Sequence, residues 1–402
     1  MCWTRSFADL FGALESALPF RIPKTNPPIK CGNKGEQSER KIKRFPYHPA
    51  HFHDRDEHHD VQPPPLDRRK YRTNGWIGYL ALSVLATFNI FLYWLVYRMG
   101  RGASVFQIME CALPKAVMYP VYWALAVFWI FTASFTGKNF FLIFQMLSFQ
   151  TTNPMFIFLL FCLMVFALLI KNIYNISKTA TVFFFMTIWT VGLTVYQFQD
   201  WEIVRFSPHL FQLASQGHSF RNWMEVYTTF MGYELCMFLF PHVTKKSKLF
   251  QGVFIGHWVI TIAQLIVILT AFGFFSFHQI ESLLYPIIDL LDFIEMPFIN
   301  RIENLVFSMF VFANLIATVM YCFAALTAIK QTCPKVKPNR LEFVIVTMVF
   351  FTGYIPKYLG QSEQLLRKVL YTETYIAFIV PVVLICVLLY LKLKGKVPNN
   401  ES

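Results

Sequence analysis

Charge is what this chain has least of. Only 15% of its 402 residues are Asp, Glu, Lys or Arg, against roughly 25% in an average soluble domain. Its eight cysteines (Cys2, Cys31, Cys111, Cys162, Cys236, Cys322, Cys333 and Cys386) contain no CxxC pair, which argues against a zinc ribbon or a dithiol redox centre. The histidines of the apolar region, His209, His218, His242, His257 and His278, have no metal-ligand spacing. Neither a Gly-rich phosphate loop nor a nucleophile elbow occurs. A membrane acyltransferase would want a buried His with an Asn or Asp partner. His257, in Gly256-His257-Trp258, is the one candidate, and a satisfied core histidine is the commoner use. The expectation is no enzyme, no catalytic residue, no metal and no cofactor.

What is present in excess is oil. Hydrophobic residues make up 55% and aromatics 18%, with 45 Phe, and the mean hydropathy is +0.45. A soluble core of this size would not tolerate that composition. Crossing a hydrocarbon layer of about 30 Å takes about 20 helical residues. Nine apolar runs fit, near 76–97, 116–147, 154–170, 179–197, 222–240, 251–275, 302–329, 341–358 and 372–391. They are continuous and not alternating, so barrel strands are excluded. The sequence therefore predicts an all-α, polytopic membrane helix bundle with about nine spans.

The net charge of +13 could point to nucleic acid, but its placement does not. One set of loops carries Arg98, Arg101, Lys115, Lys171, Lys178, Lys245, Lys246, Lys248, Lys330, Lys335, Lys337, Arg340, Lys392, Lys394 and Lys396. The intervening loops carry only Arg205, Arg221, Arg301, Lys357, Arg367 and Lys368, alongside Asp200, Glu202, Glu281, Asp289, Asp292, Glu295, Glu363 and Glu373. The positive-inside bias places the first set and the C-terminus in the cytoplasm.

That alternation puts everything before Trp76 outside, although residues 1–75 hold 14 Lys and Arg against 9 Asp and Glu. The sequence thus divides into an N-terminal segment, 1–75, a transporter-like membrane domain, 76–396, and a polar tail, 397–402. The first segment contains Pro63, Pro64 and Pro65 and the cluster His51, His53, Asp54, Asp56, Glu57, His58, His59, Asp60. With His48 this tract could bind Zn or Ni, or be a disordered, solvated tail. A third reading is a frame-shift. His and Asp codons have A second and a pyrimidine third, so a frame one nucleotide later reads only Ile, Met or Thr there. On that reading residues 1 to about 70 stand, wholly or partly, where an authentic first helix belongs, and the gene's nucleotides would test it.

Ionisable or backbone-breaking residues at membrane depth cost several kcal/mol and mark pathways or sites. Glu234 leads, in the segment Tyr227-Thr228-Thr229-Phe230-Met231-Gly232-Tyr233-Glu234-Leu235-Cys236, which ends at Pro241. Gly232 permits local unwinding, which frees backbone groups to bind a ligand's carboxylate and amine. The bland alternative is that Gly232 allows close packing and Glu234 pairs with a neighbouring helix. Lys138, between Gly137 and Asn139, is expected to snorkel outward, or else to face the bundle interior. Residues 283–297 read as a short amphipathic helix on the outer face, with Asp289, Asp292 and Glu295 solvated.

Two strings carry a family resemblance: Gly232-Tyr233-Glu234 followed by Phe238-Leu239-Phe240-Pro241, and Tyr285-Pro286 followed by Ile294-Glu295-Met296-Pro297-Phe298-Ile299 leading to Arg301-Ile302-Glu303. They resemble the B subunit of GerA-type spore germinant receptors, the spore permease family of the amino acid/polyamine/organocation superfamily, from about Trp76 to the C-terminus. The resemblance implies a ten-helix, inverted-repeat, transporter-like fold. The first helix would be missing or frame-shifted here. It implies a small nutrient, an amino acid, bound near the midplane between broken first and sixth helices, with Tyr227, Thr228, Gly232, Tyr233 and Glu234 as site residues. Ser134, Gly137 or Lys138 would join from the third helix, and 310–314 from the eighth. Implied partners are an A-type membrane subunit, a C-type lipoprotein and membrane lipids, but no nucleic acid, at the spore inner membrane. A sensing subunit is the leading expectation; an amino-acid permease working by alternating access, or a passive scaffold, are the rivals.

Overall fold

In a computed structural model the described residues are 75–394, except 149–150, 203–204, 206–219, 244–247, 277–278, 281–282, 284, 295–300, 334–335 and 337–338. The His/Asp cluster, the segment 1–74, Glu295 and the polar tail lie outside them. The described elements are all helical: α1 Gly75–Met99, α2 Val105–Ala112, α3 Lys115–Leu147, α4 Pro154–Leu169, α5 Ile173–Ile188, α6 Val191–Val195, α7 Phe220–Tyr227, α8 Leu249–Phe274, α9 Pro286–Asp292, α10 Ile302–Thr332, α11 Arg340–Thr352 and α12 Leu359–Leu393. Short 3-10 segments cover Tyr196–Asp200, Thr228–Phe230 and Tyr233–His242. The protein is an all-α polytopic membrane bundle.

Six of these runs are long and apolar enough to cross a bilayer: 75–99, 115–147, 173–200, 249–274, 302–332 and 359–393. The nine expected runs are all helical in whole or part, but three fall short of that measure. Pro154–Leu169 has 16 residues, Arg340–Thr352 has 13, and the run near 222–240 is broken. The last helix departs most from expectation. It begins at Leu359, not near 372, and runs 35 residues, about 52 Å at 1.5 Å per residue.

Local chemistry sets the boundaries. Ser104 starts α2 with a reciprocal capping box to Gln107, after a turn in which Gly102 takes φ of 78°. Asn153 caps α4 by accepting from the Met155 N–H at 2.9 Å, with Pro154 at the first helical position. Lengths recur in order along the chain. Helices of 25, 8, 33 and 16 residues (α1 to α4) are matched by 26, 7, 31 and 13 (α8 to α11).

The tightest partnership is α3 with α10, and α4 and α11 close against both. Aromatic packing dominates this scaffold: Phe158 and Phe350 rings stack 6.2 Å apart, and Phe141 meets Phe161 at 4.8 Å. On the other side, α1 lies against α8 and α12 and beside the broken segment. The short helix α9 buries Leu290 and Leu291 and exposes Asp292, while Asp289 is half-buried and not fully solvated as expected. Gln197 Nε2 donates to the Leu290 carbonyl, tying α9 to the end of the α5–α6 run.

Candidate functional site

Helix α7 ends at Tyr227, and one short 3-10 turn later the chain turns over at Met231 and Gly232. Met231 is extended (φ −62°, ψ 154°) and Gly232 is left-handed (φ 113°). A Cβ on Gly232 would meet nothing within 4 Å. Glycine is needed here for its backbone freedom and not for close packing, and there is open space beside the break. The following ten residues wind as 3-10 helix from Tyr233 to His242, a tighter form seldom sustained beyond four residues.

Glu234 is fully buried. Its carboxylate folds back so that both oxygens accept from the Gly232 N–H, at 2.9 and 3.1 Å. A carboxylate at a helix start also meets the positive end of the peptide dipoles. No Lys, Arg or His pairs with it among the described residues.

Around this break stand three tyrosines and an asparagine. The Tyr227 and Tyr233 hydroxyls are 2.8 Å apart, Asn89 Nδ2 donates to Tyr233 Oη at 2.7 Å, and the Tyr93 ring meets that of Tyr233 edge-on at 6.1 Å. Asn89 Nδ2 and Tyr93 Oη also both reach the Ala377 carbonyl, each at 3.1 Å. That carbonyl is free because Pro381, four residues on, lacks the N–H that would have claimed it. The break at Gly232 and the Pro381 position of α12 thus meet through α1.

One turn before Ala377, on α12, lies Glu373. It is fully buried and faces Glu234 and the Tyr321 hydroxyl of α10, yet neither of its oxygens makes a hydrogen bond of good geometry. Asn89 Oδ1 and Trp129 Nε1 are likewise buried without a partner, and the Trp129 ring stacks on Tyr321 at 5.7 Å. Polar atoms held in oil and left unsatisfied are costly, and at Glu373 both oxygens of one buried carboxyl are in that state. Among the described residues no group of His, Cys, Asp or Glu has metal-site geometry.

The structure brings Tyr227, Gly232, Tyr233 and Glu234 together. It does not bring Thr228 in, whose hydroxyl is spent on the Glu225 carbonyl at 2.6 Å. Lys138 does not snorkel. It is 2% exposed, with Nζ 3.0 Å from Met155 Sδ and 6.0 Å from the Phe158 ring centre, which turns it to α4 and away from the break. Ser134 donates to the Val349 carbonyl at 2.7 Å, a scaffold contact. Asn89, Tyr93 and Tyr321 carry no signal in the sequence, and Glu373 stands in the sequence with the loop acids but in the structure inside α12.

Against known families, residues 66–362 match the spore permease family, described as spore germination proteins. The chain belongs to that family. The match begins before Trp76 and stops at 362, so most of α12, Glu373 included, lies beyond it. A relative within reach is spore germination protein A2 of Bacillus subtilis (strain 168), 20% identical over 295 residues, which cover 72% of this chain and 80% of the relative. The spore permease membership gives the bundle a role in germination or nutrient sensing and makes it an integral membrane protein of a transporter or receptor family.

Proposed function

We propose that this chain is a nutrient-sensing subunit of a spore germinant receptor, holding a small ligand, an amino acid first among them, at the Gly232 break. The observation that carries the reading is the left-handed interruption at Gly232, with two buried carboxyls and open space beside it, inside a spore permease bundle. Backbone N–H groups at the start of the 3-10 helix suit a ligand carboxylate, and Glu234 and Glu373 suit an ammonium. Tyr227 and Tyr233 would frame the ligand. Thr228 and Lys138 are given no contact to it, by the placements described above.

The matched run of helix lengths supports an inverted repeat, because the second run starts five crossings after the first and so points the opposite way. In that frame the ligand sits between the repeats, the spore inner membrane is the setting, and the C-terminus is cytoplasmic by the charge bias of the loops. A ligand shifts an equilibrium only by its differential affinity for two arrangements. The break is the element with two arrangements to offer, and partners of the A-type membrane and C-type lipoprotein kinds would read them. Couplings of this sort are worth about 1–3 kcal/mol.

The test is a spore carrying Glu234→Gln with the partner subunits intact. The nutrient concentration giving half-maximal germination should rise by about tenfold or more, with response to non-nutrient triggers retained. An unchanged nutrient response would make Glu234 a structural residue and end the reading. Uptake of labelled amino acid into vesicles by this chain alone would instead establish the permease alternative.

A further inference from the structure

We infer that Glu234 and Glu373 together form a binding site for one proton, which lies between the two carboxyls and leaves the pair with a single negative charge. The biological meaning of this site rests on the sensing reading above, but its chemistry stands on the geometry of the pair.

The two carboxyls come from different elements, are both fully buried, and face one another. Their roles are unequal. Glu234 is fixed as an acceptor by the Gly232 N–H. Neither Glu373 oxygen has a hydrogen-bond partner of good geometry, so no well-formed hydrogen bond among the described residues favours its ionised form, and a proton is best placed there. Two ionised carboxylates side by side in oil, with no cation between them, cost far more than keeping one proton, the same logic that makes paired active-site carboxyls share a single one.

No cation reaches the pair from any packed element among the described residues. From α1 the facing groups are Asn89 and Tyr93. From α10 the group is Tyr321, since Arg301 is taken by Glu303 and Lys330 by Glu342. On α3, Trp129 stacks behind Tyr321, and Lys138 is turned to Met155. From α7 and the 3-10 turns come Tyr227, Tyr233 and Cys236, while Glu225 is engaged by Arg367 at 3.3 Å. Arg367 is six residues before Glu373 on α12, roughly 9 Å along the axis. On α2, Glu110 is spent on Lys115 and Tyr122, and His257 of α8 bonds to Ser83. Among the described residues, then, no side-chain cation answers the pair, and a proton is the positive charge we assign to it. An arriving ammonium group could replace it, sending the proton to water with no change in the net charge of the site.

Infrared spectroscopy of the purified full chain in lipid nanodiscs, without nutrient, reads this directly. At neutral pH the wild type should show a protonated-carboxyl C=O stretch that shifts in heavy water and disappears in one single-proton step as pH is raised. Glu373→Gln should lose the band at neutral pH while keeping its helical circular dichroism. Should that variant fail to fold, the wild-type titration decides alone. Absence of the band at neutral pH, its persistence at full strength in Glu373→Gln, or its bleaching by sodium or potassium at fixed pH would each overturn the assignment. A normal nutrient response in Glu234→Gln spores alongside an intact band would sink the sensing reading and spare the proton site, so the two failures are separable.

Discussion

Gly232 and Gly353 are the same residue used for opposite reasons. At Gly353, where α11 ends, a Cβ would lie 2.5 Å from Cε1 of Phe158, a ring with no exposure, while the backbone is ordinary right-handed helix. Gly137, facing the same ring from α3, is crowded too, its Cβ position 3.1 Å from Phe158 Cε2. At Gly232 nothing is near, but the backbone is one that L side chains avoid. Scaffold glycines let α3, α4, α10 and α11 close on aromatic rings, as small residues do in membrane helix pairs. The glycine of the break spends its freedom on a turn instead. One half of the molecule uses its glycines for density and the other uses one for a turn, and buried polar atoms without a partner occur in both, at Thr136, Asn139 and Thr318 of the scaffold as at Asn89 and Glu373 beside the break.

The largest effect should come from filling the dense half. Gly353→Ala should destabilise the detergent-solubilised protein by about 1–3 kcal/mol, the usual cost of forcing atoms into a packed core, read as a lower thermal midpoint. Adding Phe158→Leu should return most of it by giving the methyl room. If Gly353→Ala melts like the wild type, the contrast between the two glycines is not one of packing.

The half that holds the break should respond differently. Gly232→Ala meets no atom, so its cost is conformational alone, about 1–2 kcal/mol for a left-handed residue with a Cβ. It should cut nutrient response far more than it cuts stability. Gly232→Asn should recover part of both, because asparagine tolerates positive φ better than alanine does. A greater loss in Gly232→Asn than in Gly232→Ala would place the effect in the side chain's volume and not in the backbone.

How much of this the sequence disclosed follows from the same contrast. Apolar runs and alternating Lys and Arg fix a membrane bundle on hydropathy and charge alone, and a carboxylate two residues after a glycine in oil is conspicuous. The rest depended on register and distance. Glu373 lies in Tyr371-Thr372-Glu373-Thr374-Tyr375, polar enough to pass for a loop, and only the continuous helix from Leu359 carries it inside. The link from Pro381 to Asn89 runs through a backbone carbonyl 288 residues away in sequence, which no composition or spacing reports. Lys138 was misjudged because snorkelling needs a route to the headgroups, and the rings of α4 close that route. The first half of the expected binding site, before Gly75, lies outside the described residues.

The smallest expected effect is at α9, a seven-residue helix that packs on α8 and α10. Partial burial raises the Asp289 carboxyl above its usual range, and the nearby Asp292 adds to the shift. An acid that holds its proton more tightly folded than unfolded draws stability from that proton. The contribution is fully present below the ordinary aspartate value and lost as pH climbs through the raised folded value. Asp289→Asn should therefore flatten the fall in thermal midpoint across the acidic range, by well under about 1 kcal/mol at a half-exposed site, and leave the profile near neutral pH parallel to wild type. Because α9 is held to the α5–α6 run through Gln197 and the Leu290 carbonyl, a steeper fall in the variant would mean that the Asp289 charge is paired rather than penalised, and that this helix is held by ions as well as by its leucines.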